Sequence, residues 1–249
     1  MSILAVQENG SIQYGDTFIN FSIEPRATDI PKVLIKVYPN CRVVALAPPM
    51  ASYEDILQAM KKRARWVCKQ MRYFDQQREN ILPRHYVSGE SHFYLGRRHM
   101  LKVKDNSHNS AKVKLLRGVL EVQGQKLNPD KTKAMLFDWY RVRAKEVFDR
   151  RLEEVISKTL WVNEKPSIRL LSMQTQWGSC SPKGQLMINP HLVKAPRECI
   201  DYVLLHELCH IAEHNHSEQF YRLMKQVMPH WKKVKERLDG MAYFYLNDT

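Results

Sequence analysis

The sequence predicts an α+β protein with an N-terminal antiparallel β-rich part that carries one long helix. Its C-terminal part is helical, with a β-hairpin edge beside a histidine-rich helix. Three observations predict this. Period-2 alternation marks residues 17–46 and 92–123, apolar spacing of three and four runs through 53–80 and 129–160, and a histidine-rich helical pattern follows Pro196. The boundary falls at 128/129, giving 1–128 and 129–249, and the two parts are expected to pack as one compact unit.

Strands are expected over Thr17–Glu24, Lys32–Tyr38 and Arg42–Leu46, the last two joined by a hairpin at Pro39-Asn40-Cys41. A helix then runs from Tyr53 to about Asn80, with Ser52 as cap and Glu54 and Asp55 favourably placed at its positive end. Ile56, Leu57, Met60, Ala64, Val67 and Met71 form its inner face. Four short strands follow at His92–Leu95, His99–Lys104, Lys112–Leu116 and Val119–Gln123, separated by turns at Gly96-Arg97, Asn106–Ser110 and Arg117-Gly118. Asn128 caps a second long helix, Pro129 fits its first position, and the apolar series from Leu136 to Ile156 carries it to about Leu160. Pro166 leads to a strand over Ile168–Ser172 and a hairpin through Ser181–Gly184 that returns along Gln185–Asn189. No internal repeat is visible in the sequence, and 124–130 is the nearest thing to a linker.

The 249 residues, 44% of them hydrophobic, can bury a core without staples. Five cysteines without a CxxC pair or a secretory leader point to reduced thiols and a cytoplasmic protein, and no segment has the length of a membrane span. The net charge of +13 attracts polyanions: nucleic acid, nucleotide phosphates or acidic protein surfaces.

The chemistry is concentrated in His206-Glu207-Leu208-Cys209-His210. Residues four apart share a helix face, so the imidazoles of His206 and His210 can bind one ion, with the Glu207 carboxylate beside it. Zinc suits two neutral imidazoles and an open position, and lowers the pKa of its water to about 7. Glu207 is then the general base. Cys209 points off this face and is read as a packing residue.

Two histidines offer a third ligand. On a continuous helix His214 would lie ~12 Å along the axis from His206, too far to share the ion. His216 qualifies if the helix breaks near His214, where Asn215 tolerates a left-handed ending, and a new helix starts at Asn215 or Ser217. Glu218 would complete a capping box with Asn215, and Phe220, Leu223, Met224 and Val227 form the apolar stripe behind. An extended peptide substrate could add to a sheet edge beside the metal, at Gln185–Asn189 or at Gln174–Gly178.

Trp177-Gly178-Ser179-Cys180-Ser181, Asn189-Pro190, Leu192, Pro196, Asp201-Tyr202-Val203, the HExxH segment, Asn215-His216-Ser217, Phe220, Pro229 and Trp231 closely resemble the YgjP-like metallopeptidase family, a relative of SprT-like zinc proteins. The resemblance implies that His206, His210 and His216 hold Zn2+ and that Glu207 is catalytic. Tyr221 stands where the family often has tryptophan, and Gln176 where a basic residue or threonine is common. It implies a zincin-like catalytic part over 129–249, with the β-hairpin edge beside the metal site, and a zinc-dependent metallohydrolase acting on polypeptides. Two other activities follow from it: nucleoside triphosphate (UTP) pyrophosphatase action, and a nucleic-acid-associated SprT-like protease. Four residues near the motif are candidates to stabilise an oxyanion: His191, Tyr221, Arg222 and His230.

Overall fold

The computed structural model describes residues 9–26, 31–38, 40–78, 84–106, 111–173 and 176–246. Pro39, Asn80, Gln174, residues 1–8 of the N-terminus and 107–110 of an expected turn lie outside them. The chain divides into two units, Met1–Ile81 and Leu82–Thr249, and residues 128/129 fall inside the second.

Unit 1 is a four-stranded sheet and a helix: β1 (Asn9–Tyr14), β2 (Thr17–Pro25), β3 (Leu34–Val37), β4 (Val43–Ala47) and α1 (Tyr53–Arg78). The strand order is β1-β2-β4-β3. β1/β2 and β3/β4 are antiparallel hairpins, but β2 and β4 run parallel, so the sheet is mixed rather than wholly antiparallel. Alternation in a strand reports which face is buried and not the direction of its neighbour, which is why the sequence left this out. β1 was also missed, since Asn9, Gly10, Ser11 and Gln13 leave Ile12 as its only buried residue. Ser52 and Asp55 cap α1 reciprocally: Ser52 Oγ accepts from Asp55 N–H at 3.2 Å, and the Asp55 carboxylate accepts from Ser52 N–H at 2.9 Å. Ile56, Met60, Ala64 and Val67 then pack on Ile19, Phe21, Val43 and Ala45.

Unit 2 begins with the same topology. β5 (Ser91–Tyr94), β6 (Arg97–Asp105), β7 (Lys112–Leu116) and β8 (Val119–Gly124) form a sheet of order β5-β6-β8-β7, again with a central parallel pair, followed by α2 (Pro129–Ile156). A repeat that no residue pattern reveals is thus present in the topology of the two ββββα segments. Asn128 caps α2 by accepting from Lys131 N–H at 2.8 Å, and Pro129 opens it, as expected.

The rest of unit 2 is built around one buried helix, α3 (Arg197–Ala212). It contacts α2, α4 (Glu218–Val227), α5 (Trp231–Leu246) and β10 (Gly178–Cys180). Its mostly apolar first half, Cys199, Ile200 and Tyr202–Leu205, is buried because neighbours cover it on several sides. A 3₁₀ turn, Pro190–Lys194, precedes α3 and is held by the β5–β6 turn: Leu95 N–H donates to Val193 O and Gly96 N–H to Lys194 O, both at 2.9 Å. Gly96 has φ +78°, and a Cβ there would meet Pro196 Cγ at 2.8 Å, so glycine is needed on both counts. Arg151 of α2 grips Asp201 of α3 with two parallel hydrogen bonds of 2.7 and 2.5 Å. The buried Nζ of Lys194 donates to Tyr245 O at 3.0 Å, satisfying a carbonyl in the last turn of α5.

The hairpin strand β10 pairs antiparallel with β11 (Leu186–Ile188), which pairs parallel with β9 (Ile168–Leu170), in the order β10-β11-β9. β11 is therefore central. The expectation that Gln185–Asn189 could offer a sheet edge is corrected by its two neighbours, and β10, which starts at Gly178, is the edge next to α3. Asn189 anchors the segment leading to that edge: its Nδ2 donates to Met173 O at 2.7 Å and Gln176 O at 3.2 Å. Among the described residues no helix is long and apolar enough to cross a membrane.

Candidate metal centre

His206 and His210 lie one turn apart on α3, and His216 enters from the connection between α3 and α4. The ligand-capable nitrogens of the three lie within 4.8 Å of one another, and they are the one such group among the described residues. His206 Nε2 and His216 Nε2 are 3.0 Å apart. Two nitrogens bound tetrahedrally to one zinc ion at about 2.0–2.1 Å stand about 3.3 Å apart, so the spacing suits a shared ion. His214 is not in the group.

The helix break occurs in a different way from that expected. α3 ends at Ala212, and the chain turns at Glu213 in an extended conformation, φ −139° and ψ 103°. Asn215 is not among the residues with positive φ. The cap of α4 is Ser217, whose Oγ accepts from Phe220 N–H at 3.2 Å, and Glu218 is already the first helical residue instead of the partner of an Asn215 box. The extended Glu213 also turns its carbonyl toward His210, whose Nδ1 lies 3.0 Å away. A carbonyl only accepts, so Nδ1 carries the proton and Nε2 keeps the lone pair that a metal requires.

Phe220 is fully buried beneath the cluster, with its ring 4.9, 4.6 and 4.7 Å from those of His206, His210 and His216. This contact restricts all three imidazoles at once. Burial, then the neighbouring His210 and His216, holds the His206 imidazole down to about 3, and burial lowers His216 as well. Both are neutral near pH 7, the state in which imidazole binds metal.

Glu207 is 4% exposed and faces the strand edge. A Cβ on Gly178 would stand 2.8 Å from Glu207 Oε1 and 2.9 Å from its Cγ, so the backbone of β10 lies directly against the carboxylate. Desolvation pushes this carboxyl up to about 8, and a cation among the three imidazoles would draw it back down. Cys209 is buried and outside the ligand group, in keeping with a packing role.

Of the four oxyanion candidates, Tyr221 lies beside the cluster: its ring stacks 6.3 Å from that of His216 and 5.5 Å from that of Trp231. His230 pairs with Glu198 at 2.9 Å, Arg222 reaches Glu218, and His191 packs its ring on Phe137. Tyr202, one of the motif residues and four positions before His206, extends the same helical face. It lines a cavity of about 220 Å³ together with His206, Glu207 and Gly178. Lys235, Leu238 and Asp239 of α5 complete that cavity and were missed in the sequence, since nothing in their local pattern reports a fold-back onto α3.

A buried carboxylate beside three converging imidazoles, on a helix covered by a strand edge, places the chain among the metal-dependent hydrolases. More narrowly, the chain belongs to the YgjP-like family: the model of the YgjP-like metallopeptidase domain matches residues 32–241. Two metallopeptidase zymogens of known crystal structure are similar to parts of it. Abylysin of Pyrococcus abyssi is 20% identical, with 40% of this chain and 92% of that one covered and a TM-score of 0.32. For jannalysin of Methanocaldococcus jannaschii the corresponding values are 22%, 40%, 96% and 0.32. No curated protein sequence matches.

Proposed function

We propose that His206, His210 and His216 hold a zinc ion and that Glu207 is the general base of a peptidase acting on extended or unfolded polypeptides. The convergence of the three histidine nitrogens within 4.8 Å is the observation that carries this reading. The donor set fits zinc: three imidazole nitrogens, one ring oriented by a backbone carbonyl, with no fourth protein ligand in the group. When bound, such an ion polarises a carbonyl and acidifies water.

The remaining work falls to side chains and backbone. The free edge of β10 aligns an extended peptide by main-chain hydrogen bonds, which are indifferent to sequence. Glu207, pressed against Gly178 at that edge, accepts the proton of the attacking water at its carboxylate and delivers it to the departing amide nitrogen. Tyr221, whose ring stacks 6.3 Å from that of His216, is the candidate to donate to the developing oxyanion. The family's peptidase character favours this substrate class over nucleoside triphosphates. The nucleotide and nucleic-acid readings come from the same resemblance, and the net charge of +13 suits them.

The test is a parallel screen of zinc-loaded wild type and Glu207→Gln against unfolded polypeptides and nucleoside triphosphates. Release of new amino termini by the wild type alone is expected. Release of pyrophosphate without peptide cleavage would replace the proposal with the nucleotide reading.

A further inference from the structure

We propose that the cavity of about 220 Å³ beside Glu207 receives one substrate side chain next to the scissile bond, and that it selects an apolar residue there, with Val203 and Leu238 setting the size. The inference rests on the peptidase reading above and adds a specificity to it.

Position comes first. His206 and Glu207 form part of the cavity wall, so a group that fills it lies against the reacting centre. Gly178 is both a wall of the cavity and the first residue of the β10 edge. Side chains of an extended peptide alternate across its backbone, so a peptide paired with β10 directs every second side chain to one side. One of these can enter beside Glu207.

Size and polarity define the occupant. A volume of about 220 Å³ is below the ~300–1,000 Å³ of sites for whole small molecules, and holds a single side chain. Trp177, Tyr202, Val203 and Leu238 supply apolar wall, and the last two are 3% and 1% exposed. Lys235 and Asp239, one helical turn apart on α5, also line it, and they neutralise each other as an ion pair. An acidic side chain would enter beside the Glu207 carboxylate with no unpaired cation to meet it, and a basic one would meet only Glu207, whose carboxylate the reaction needs as its base; both also lose hydration, which disfavours them. A leucine, methionine or phenylalanine exchanges water for apolar wall. In a pocket of this kind one methylene changes the rate about 10- to 200-fold, enough to dominate a cleavage profile.

The test is a cleavage profile of the full chain loaded with zinc, read by mass spectrometry on a mixture of unfolded peptides. Wild type should show leucine, methionine or phenylalanine enriched at one position flanking the cut, and Leu238→Ala should shift that preference toward larger aromatic residues by about tenfold. Leu238 is a core residue, so Asp239→Asn, at a half-exposed position, provides a second arm. It leaves the Lys235 ammonium without its partner and should raise cleavage at sites with aspartate or glutamate at that same position. No preference at either flanking position, or an unchanged profile in both variants, would overturn the assignment of the cavity. If zinc-loaded wild type cleaves no peptide at all, the peptidase reading beneath it fails instead.

Discussion

Replacing Gly178 with alanine separates the position of Glu207 from its chemistry. The new methyl group would stand 2.8 Å from Glu207 Oε1, 2.9 Å from Cγ and 3.1 Å from Cδ, against ordinary contacts of about 3.5–4.0 Å. The carboxylate must move by roughly 1 Å, because the backbone of β10 is tied to β11 through the Gly178–Ile188 pair. Gly178 is not among the glycines with positive φ, so alanine meets no backbone strain and gains about 0.4–1 kcal/mol through the unfolded state. An off-rotamer Glu207 costs about 0.5–1.5 kcal/mol, and stability should change little. Catalysis should not be spared, since a misplacement of about 1 Å costs on the order of 100-fold. The assays are kcat/KM on an unfolded polypeptide, zinc content by mass spectrometry and the urea midpoint. The expected result is full zinc, a midpoint near that of wild type, and activity down about 100-fold. Wild-type activity in Gly178→Ala would refute the placement of Glu207 as the base, and loss of zinc in step with activity would show that the clash falls on the ligand helix.

Three further outcomes follow from the structure. His216→Ala should lose stoichiometric zinc and His214→Ala should retain it, measured by metal analysis after dialysis; the reverse would assign the third ligand to His214. Arg151→Ala leaves the Asp201 carboxylate without its two hydrogen bonds at the α2–α3 contact and should cost about 3 kcal/mol in urea unfolding, and a cost below about 1 kcal/mol would show the pair to be dispensable. His92 is buried, and its Nδ1 accepts from Arg84 at 3.0 Å; burial, with Arg84 and Lys194, holds its pKa down to about 3. Its folded pKa therefore lies below the unfolded value near 6.5, so its contribution is fully present above about pH 6.5 and is lost progressively as the pH falls toward 3. His92→Asn, which keeps an acceptor and does not titrate, should flatten the dependence of the urea midpoint on pH between pH 7 and 4.5. An unchanged slope would assign the acid sensitivity to other groups.

The site was more legible in the sequence than the sheets. Local spacing determines where His206, Glu207 and His210 project, and the helix break before Ser217 is encoded within a few residues. Even there the break was credited to Asn215, whereas extended Glu213 makes it, because caps at neighbouring polar residues compete closely. Long-range choices were not readable. The parallel β2/β4 and β6/β8 pairs, the central place of β11 and the return of α5 to line the cavity all depend on partners distant in sequence. Gly178 shows the same limit: its motif was visible, but its reason, the Glu207 carboxylate, lies on another element.

The most direct test of the account is turnover of Glu207→Gln measured at full zinc occupancy on an unfolded polypeptide. Glutamine keeps the shape of the side chain beside Gly178 and leaves the three histidines intact, so zinc should bind one per chain as in wild type. The account predicts that kcat falls at least 100-fold, within the about 10²–10⁴-fold that positioned acid–base groups contribute. A zinc-loaded Glu207→Gln enzyme that cleaves the polypeptide at the wild-type rate would contradict it.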